Sequence, residues 1–317
     1  MGTIGSGRNS INTATRTTTT TPTTTATPAA KPAAAVTAKP ANQVKDGFDA
    51  RATNSAVRTA APTGVFTAPA GSKDKVFDGK LVGKGGQAFD ASTPLSQVPA
   101  YEPKGGVKTP GTIIYVNGMM TDKAGQETTL QAIADKTGQK TIGIHNSTEG
   151  FFKDLGQCIT DKMDKGKNPA VDTLADSLYN ELKAGRDVSL MAHSQGGLIT
   201  SRALNDVAKR LRIEDGLSPA QVQEKLGKVS VETFGAAAAT YPDGPKYVHY
   251  VNDKDPVPGI FGLGTSGKGP LDLIRHAGKD AKIHYFSEKS IFSGAHNIND
   301  TYLNKRVPFD QARAGNF

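Results

Sequence analysis

The sequence predicts an α/β fold, a mostly parallel sheet with helices on both faces, preceded by a tail that does not fold. From residue 110 onward, short β-branched runs alternate with helical segments, the order that places crossover helices over parallel strands. The helical segments are bounded by Pro and Gly at the expected ends. Before residue 70 neither period exists, and Thr, Ala, Pro and Ser dominate.

Residues 111–118, "GTIIYVNG", are a β-branched run that ends at Asn-Gly. Residues 125–138, "GQETTLQAIADKTG", read as a helix closed by Gly138, and residues 140–146, "KTIGIHN", as a second strand. Residues 169–185 form a strong helix, with Pro169 near its start and Gly185 after its end. Residues 187–193, "DVSLMAH", are a third strand, followed by a helix over 197–212. Further strands are expected at 228–235, 246–252 and 281–287. In such a sheet, ligands sit beyond the carboxyl ends of the strands.

Composition divides the chain into a low-complexity tail (1–75), a linker or edge segment (76–110) and a folded domain (111–317). The tail includes "TATRTTTTTPTTTATPAAKPAAAVTAKP" and lacks the apolar surface to offset its ordering entropy. Residues 1–110 carry 13 Lys/Arg against 6 Asp/Glu, whereas the remainder carries 25 against 24. The basic balance therefore belongs to the tail, where a solvated segment or loose contact with an anionic membrane surface is the expectation. With no Trp and no interleaving of aromatic and basic residues, nucleic-acid readout is not expected.

Cys158 is the only cysteine, which excludes an internal disulfide and a Cys-based zinc site. No metal or cofactor is called for. The start, "MGTIGSGRNS", has no apolar h-region, so no conventional signal peptide is expected. Gly2 and Ser6 have the spacing of an N-myristoylation motif, a pattern that recurs by chance.

The chemistry concentrates in "DVSLMAHSQGGLIT" (187–200). Ser194 falls where a strand ends and a helix begins, so its hydroxyl projects above the sheet beside the free N–H groups of a helix start. So tight a turn needs small residues two before and two after the serine, here Ala192 and Gly196, and Gly197 lets the helix approach the neighbouring strand. This segment resembles the G-x-S-x-G nucleophile elbow with alanine in the first position. On it, residues 110–317 are similar to the α/β-hydrolase superfamily, particularly its lipase and esterase branch.

That resemblance implies an α/β-hydrolase fold and the chain order serine, acid, histidine. Asp255, in "KYVHYVNDKDPVPG", fits the acid: it follows a strand, and Pro256 keeps it extended. Asp253 is its rival, and an ordinary Asp/Pro turn the plain alternative. His296, in "SGAHNINDTYL", lies after the last strand and just before a short helix, as the superfamily's histidine does. His276 falls in a Gly-rich insertion, His284 inside a strand, and His193 supports the elbow. The resemblance also implies an oxyanion hole of backbone N–H groups from Gln195 and from Met119, with Gly118 allowing the turn. Asn117 stands where many relatives carry histidine.

Two segments are candidates to cover the site: 146–168, with Phe151 and Phe152, and 259–280, with Ile260, Phe261 and Leu263. Each reads equally as a surface loop. The expected activity is hydrolysis of carboxylic esters, as a lipase or phospholipase acting on an ester or lipid substrate. A thioesterase, a serine peptidase and a non-catalytic binding protein on the same fold are the alternatives. The tail joined to such a core looks like a bacterial effector, made in the cytoplasm and exported by a specialised secretion system, with a secretion chaperone or immunity protein as partner.

Overall fold

The β-branched runs assemble into one nine-stranded sheet of order β1-β3-β2-β5-β4-β6-β7-β8-β9. The computed structural model describes residues 65–69, 73–147, 168–267, 270–289 and 294–317, all within the compact unit Thr53–Phe317. Strands β1 (Val65–Phe66), β2 (Leu81–Val82) and β3 (Ala88–Phe89) form a short antiparallel edge. The others are β4 (Thr112–Val116), β5 (Lys140–Ile144), β6 (Val188–His193), β7 (Val229–Phe234), β8 (Lys246–Asn252) and β9 (Lys282–Phe286). From β5 to β9 all pairings are parallel. The sheet thus takes in Val65–Phe66, which composition alone assigns to the tail, and the turn Asp74–Phe77 before β2 straddles the boundary at residue 75. Residues 76–110 supply β2, β3 and a bridge from Tyr101 to Thr141, so they are an edge of the sheet.

Local chemistry explains the helices. Helix α1 (Lys123–Thr137) begins at Asp122, whose side chain accepts from the Gly125 N–H, and ends at Gly138 with φ 69°, a left-handed C-cap that glycine adopts without strain. Helix α2 (Pro169–Lys183) is capped by Asn168, which accepts from the N–H groups of Ala170 and Val171. Helix α3 (Gln195–Ile213) follows Ser194 directly. Helix α4 (Pro219–Leu226) starts on a capping box between Ser218 and Gln221. Short helix α5 (Pro256–Phe261) is capped by Asp255. A π-helical turn, Ile298–Tyr302, runs into Leu303–Lys305 and then into α6 (Phe309–Arg313).

Two apolar cores lie on the two faces of the sheet. On one, Leu174, Leu178 and Leu182 of α2 and Leu204, Val207 and Leu211 of α3 bury themselves against Ile114, Ile142, Leu190 and Val231. On the other, Leu130 and Ile133 of α1, with Tyr302, Leu303 and Ala312, cover Ile113, Tyr115, Met191 and Tyr250. Among the described residues no helix is long and apolar enough to cross a membrane.

Candidate functional site

The chain leaves β4 for β5 on one side and returns to β6 on the other. That reversal is a topological switch point, and in open α/β sheets ligands sit beyond the carboxyl ends of the strands beside it, here β4 and β6. The loop from Asn117 to Met119 leaves β4 there, and Ser194 leaves β6.

Ser194 has φ 55° and ψ −125°, a conformation that costs a residue with a Cβ on the order of 1–3 kcal/mol. Backbone bonds hold it: its N–H donates to Phe234 O at 3.1 Å, and its carbonyl accepts from Gly197 and Ala237 at 3.0 and 2.9 Å. A serine before a helix ordinarily caps it through the hydroxyl. Here the side chain makes no capping bond, so the hydroxyl is kept from that role.

The glycines around it are explained by close approach. A Cβ on Gly118 would lie 2.7 Å from the Ser194 Cβ, one on Gly196 would strike the Val116 carbonyl, and one on Gly197 would strike Ala236. Gly118 therefore passes directly beside Ser194, with Met119 next in the chain. Gln195 is the first residue of α3, where helix N–H groups have no intrahelical acceptor. Met119 packs against the small cluster of Ala237 and Val257, together with Phe261.

Asp255 and His296 come together at the ends of β8 and of the loop after β9. His296 Nδ1 and Asp255 Oδ2 are 2.6 Å apart, and the acid side chain is fully buried while the imidazole is 19% exposed. A carboxylate only accepts, so the Nδ1 proton faces it and Nε2 is left as the basic nitrogen. The second Asp255 oxygen accepts from the Val257 N–H at 3.0 Å. The Tyr302 hydroxyl also donates to Oδ2, at 2.6 Å.

His193 joins this pair to the serine. It is the residue before Ser194, its Nε2 donates to the His296 carbonyl at 2.9 Å, and the two imidazole rings lie 4.5 Å apart. Burial, then the neighbouring His296, holds the His193 pKa well below its ordinary value, so it remains neutral at pH 7. The strand that ends on the serine is thereby tied to the loop that carries His296.

Asparagines set the rest. Asn117 donates to the Asn146 carbonyl at 2.8 Å and accepts the Asn146 N–H at 2.9 Å. The Asn146 side chain donates to Gln195 Oε1 at 2.8 Å. The ends of β4 and β5 and the start of α3 are thus locked by side-chain amides. Asn252 does the same for the other half, donating to the carbonyls of Glu288 and Ala295 at 2.7 and 3.1 Å.

The other candidates lie elsewhere. Asp253 accepts from Ser266, and His276 pairs with Asp243 at 2.8 Å in an exposed position. His284 stacks on Phe286 and Phe317. Of the covering segments, residues 148–167 fall outside the described residues, and with them Cys158, Phe151 and Phe152. Part of the second is α5 and a turn at Pro270–Ile274, bound together because Arg275 donates to the carbonyls of Gly259 and Gly262. Ile260, Leu273 and Ile274 are exposed there, and Met120 is exposed on the β4 loop. No cluster of three or more His, Cys, Asp or Glu among the described residues is arranged to hold a metal ion.

Sequence reasoning passed over Tyr302, Asn146 and Asn252. Their positions carry no motif; only the tertiary contacts reveal them. Compared with family models, curated proteins and solved structures, the chain gives no match.

Proposed function

We propose that the chain is a serine hydrolase of carboxylic esters on an α/β-hydrolase fold, a lipase or phospholipase, acting through an acyl-enzyme on Ser194. The observation that carries this reading is the 2.6 Å contact of His296 Nδ1 with buried Asp255, on a loop tied through His193 to the strand that ends at Ser194.

In this reading His296 Nε2 removes the Ser194 hydroxyl proton as the oxygen attacks the ester carbonyl. Asp255 holds the imidazole in the required tautomer and stabilises the imidazolium that forms. The tetrahedral oxyanion is met by the N–H groups of Gln195 and Met119, each donor worth roughly 3–4 kcal/mol in the transition state. The imidazolium then protonates the leaving alcohol, and water repeats the sequence on the acyl-enzyme. The exposed Met120 and Ile260, on the segments that follow β4 and β8, support a lipid ester over a polar one, because they leave apolar surface at the carboxyl ends of those strands.

A fluorophosphonate should label Ser194 alone, and Ser194→Ala should remove hydrolysis of p-nitrophenyl esters while the protein stays folded. Labelling of another serine would end this reading. A panel of esters, phospholipids, thioesters and peptides decides the substrate class. Export by a specialised secretion system is the part of the proposal that rests on the tail: removing residues 1–64 should stop secretion and spare ester hydrolysis. Loss of hydrolysis with unchanged secretion would reverse that assignment.

A further inference from the structure

We infer that Tyr302 is a positioning residue for the acid and base, a fourth member of the relay that sets how strongly Asp255 holds the His296 imidazole. This rests on the reading of Asp255 and His296 as orienter and base.

The argument is geometric. One carboxylate oxygen, Asp255 Oδ2, is shared by two donors, His296 Nδ1 at 2.6 Å and the Tyr302 hydroxyl at 2.6 Å. The phenol oxygen itself accepts from the Asn252 N–H at 3.3 Å, which leaves its proton for the carboxylate. The side chain is fully buried, wedged edge-on between Phe234 and Phe286. Space for it is made at Gly235: with φ 54° there, an added Cβ would lie 2.7 Å from the Tyr302 hydroxyl and 2.8 Å from Asp255 Oδ2. Burial, then the adjacent Asp255 charge, raises the phenol pKa far above its ordinary value, so it is a permanent donor. Among the described residues, His193 from β6 and Tyr302 from the π-helical turn are titratable side chains in contact with the pair, and His193 is held neutral.

A neutral donor on the shared oxygen withdraws part of the charge that Asp255 offers the imidazolium. Tyr302 therefore weakens the grip of Asp255 on the proton while fixing the direction of the carboxylate. Removing the hydroxyl should leave the imidazolium more stabilised. The base then carries its proton to higher pH, and the free-base fraction at neutral pH falls.

The test uses the whole chain with two substitutions at one position. In Tyr302→Phe, the acid limb of kcat/KM against pH should move up by about half a unit or more, with kcat lower at neutral pH and KM little changed. Site-specific replacement of Tyr302 by difluorotyrosine, a stronger donor, should move the limb the opposite way. The pH at which the His296 ring resonances shift, followed by NMR, should move in the same two directions. Opposite movements support the relay. Unmoved limbs and resonances in both folded variants overturn it, leaving Tyr302 a packing residue. If the phenylalanine variant does not fold, the difluorotyrosine variant decides alone. If wild type hydrolyses no ester, the hydrolase reading fails separately, and the resonances still decide the role of Tyr302.

Discussion

The two faces of the sheet are covered by different means. On the α2/α3 face, amphipathic helices lay leucines and valines at spacings of three and four over an aliphatic sheet surface, and burial is nearly complete. The opposite face has α1 on one flank and short C-terminal turns on the other. Between them lies a cavity of about 660 Å³, lined among others by Ser189, Ser230, Lys136 and Phe309, with Glu232 and Arg306 in its wall. Every side chain that binds Asp255 Oδ2, and His193 as well, belongs to this second half of the molecule. One face is closed chiefly by apolar area, the other combines apolar area with buried polar pairs, and the candidate site is built on the second.

Substitutions can break that contrast. Glu232 and Arg306 pair at 2.9 Å with side chains only 6% and 8% exposed. Burial raises the Glu232 pKa more than the Arg306 charge lowers it, so this pair contributes little net stability. Glu232→Ala alone should still cost about 3–5 kcal/mol, because it strands a buried guanidinium. The double change Glu232→Leu, Arg306→Met should restore most of that or exceed wild type, as read by urea unfolding. A double variant as weak as the single one would show that the face depends on the ion pair itself.

On the aliphatic face, Leu204→Ala should cost about 2–5 kcal/mol by transfer and cavity formation. No second substitution at a contacting position should rescue it so simply. A loss well under 1 kcal/mol would mean that this face is not packed as tightly as its burial indicates.

The smallest expected effect sharpens the same contrast through pH. His249 lies among the residues of the α2/α3 face, bonded to Thr233 at 2.7 Å and to the Ala277 carbonyl at 2.9 Å. Burial lowers its pKa to about 4 from 6.5. The unfolded chain binds this proton first, so the stabilisation is complete above about pH 6.5 and is lost as pH falls towards 4. Up to about 3 kcal/mol of stability should disappear across that window. In His249→Gln this acid dependence should flatten; an unchanged slope would assign it to other groups.

The same division explains what could be read in the sequence. Strands β4 to β9 and helices α1 to α3 announce themselves by period and by their Asn, Pro and Gly ends, because helix caps and apolar stripes are local. Two-residue strands such as Val65–Phe66 have no period to read, so the antiparallel edge was legible only as a segment of uncertain use. Helix α4 was passed over although Ser218, Pro219 and Gln221 spell out its start; eight residues sit below the length at which a stripe is convincing. At the candidate site, the turn at Ser194 was legible because its small neighbours are required within five residues. Tyr302, Asn146 and Asn252 act on partners 47, 49 and 36 residues away, and such partnerships leave no mark on a single sequence.

The positive φ of Ser194 has a consequence for how this chain can change over generations. The fold does not need that side chain: the hydroxyl caps nothing, and glycine would occupy the same backbone position with less strain. A gene that loses the serine would therefore go on producing a folded protein. Quality control, which reads instability, has no hold on such a copy. Under the proposed reading, only selection for what the hydroxyl does could keep Ser194 in place.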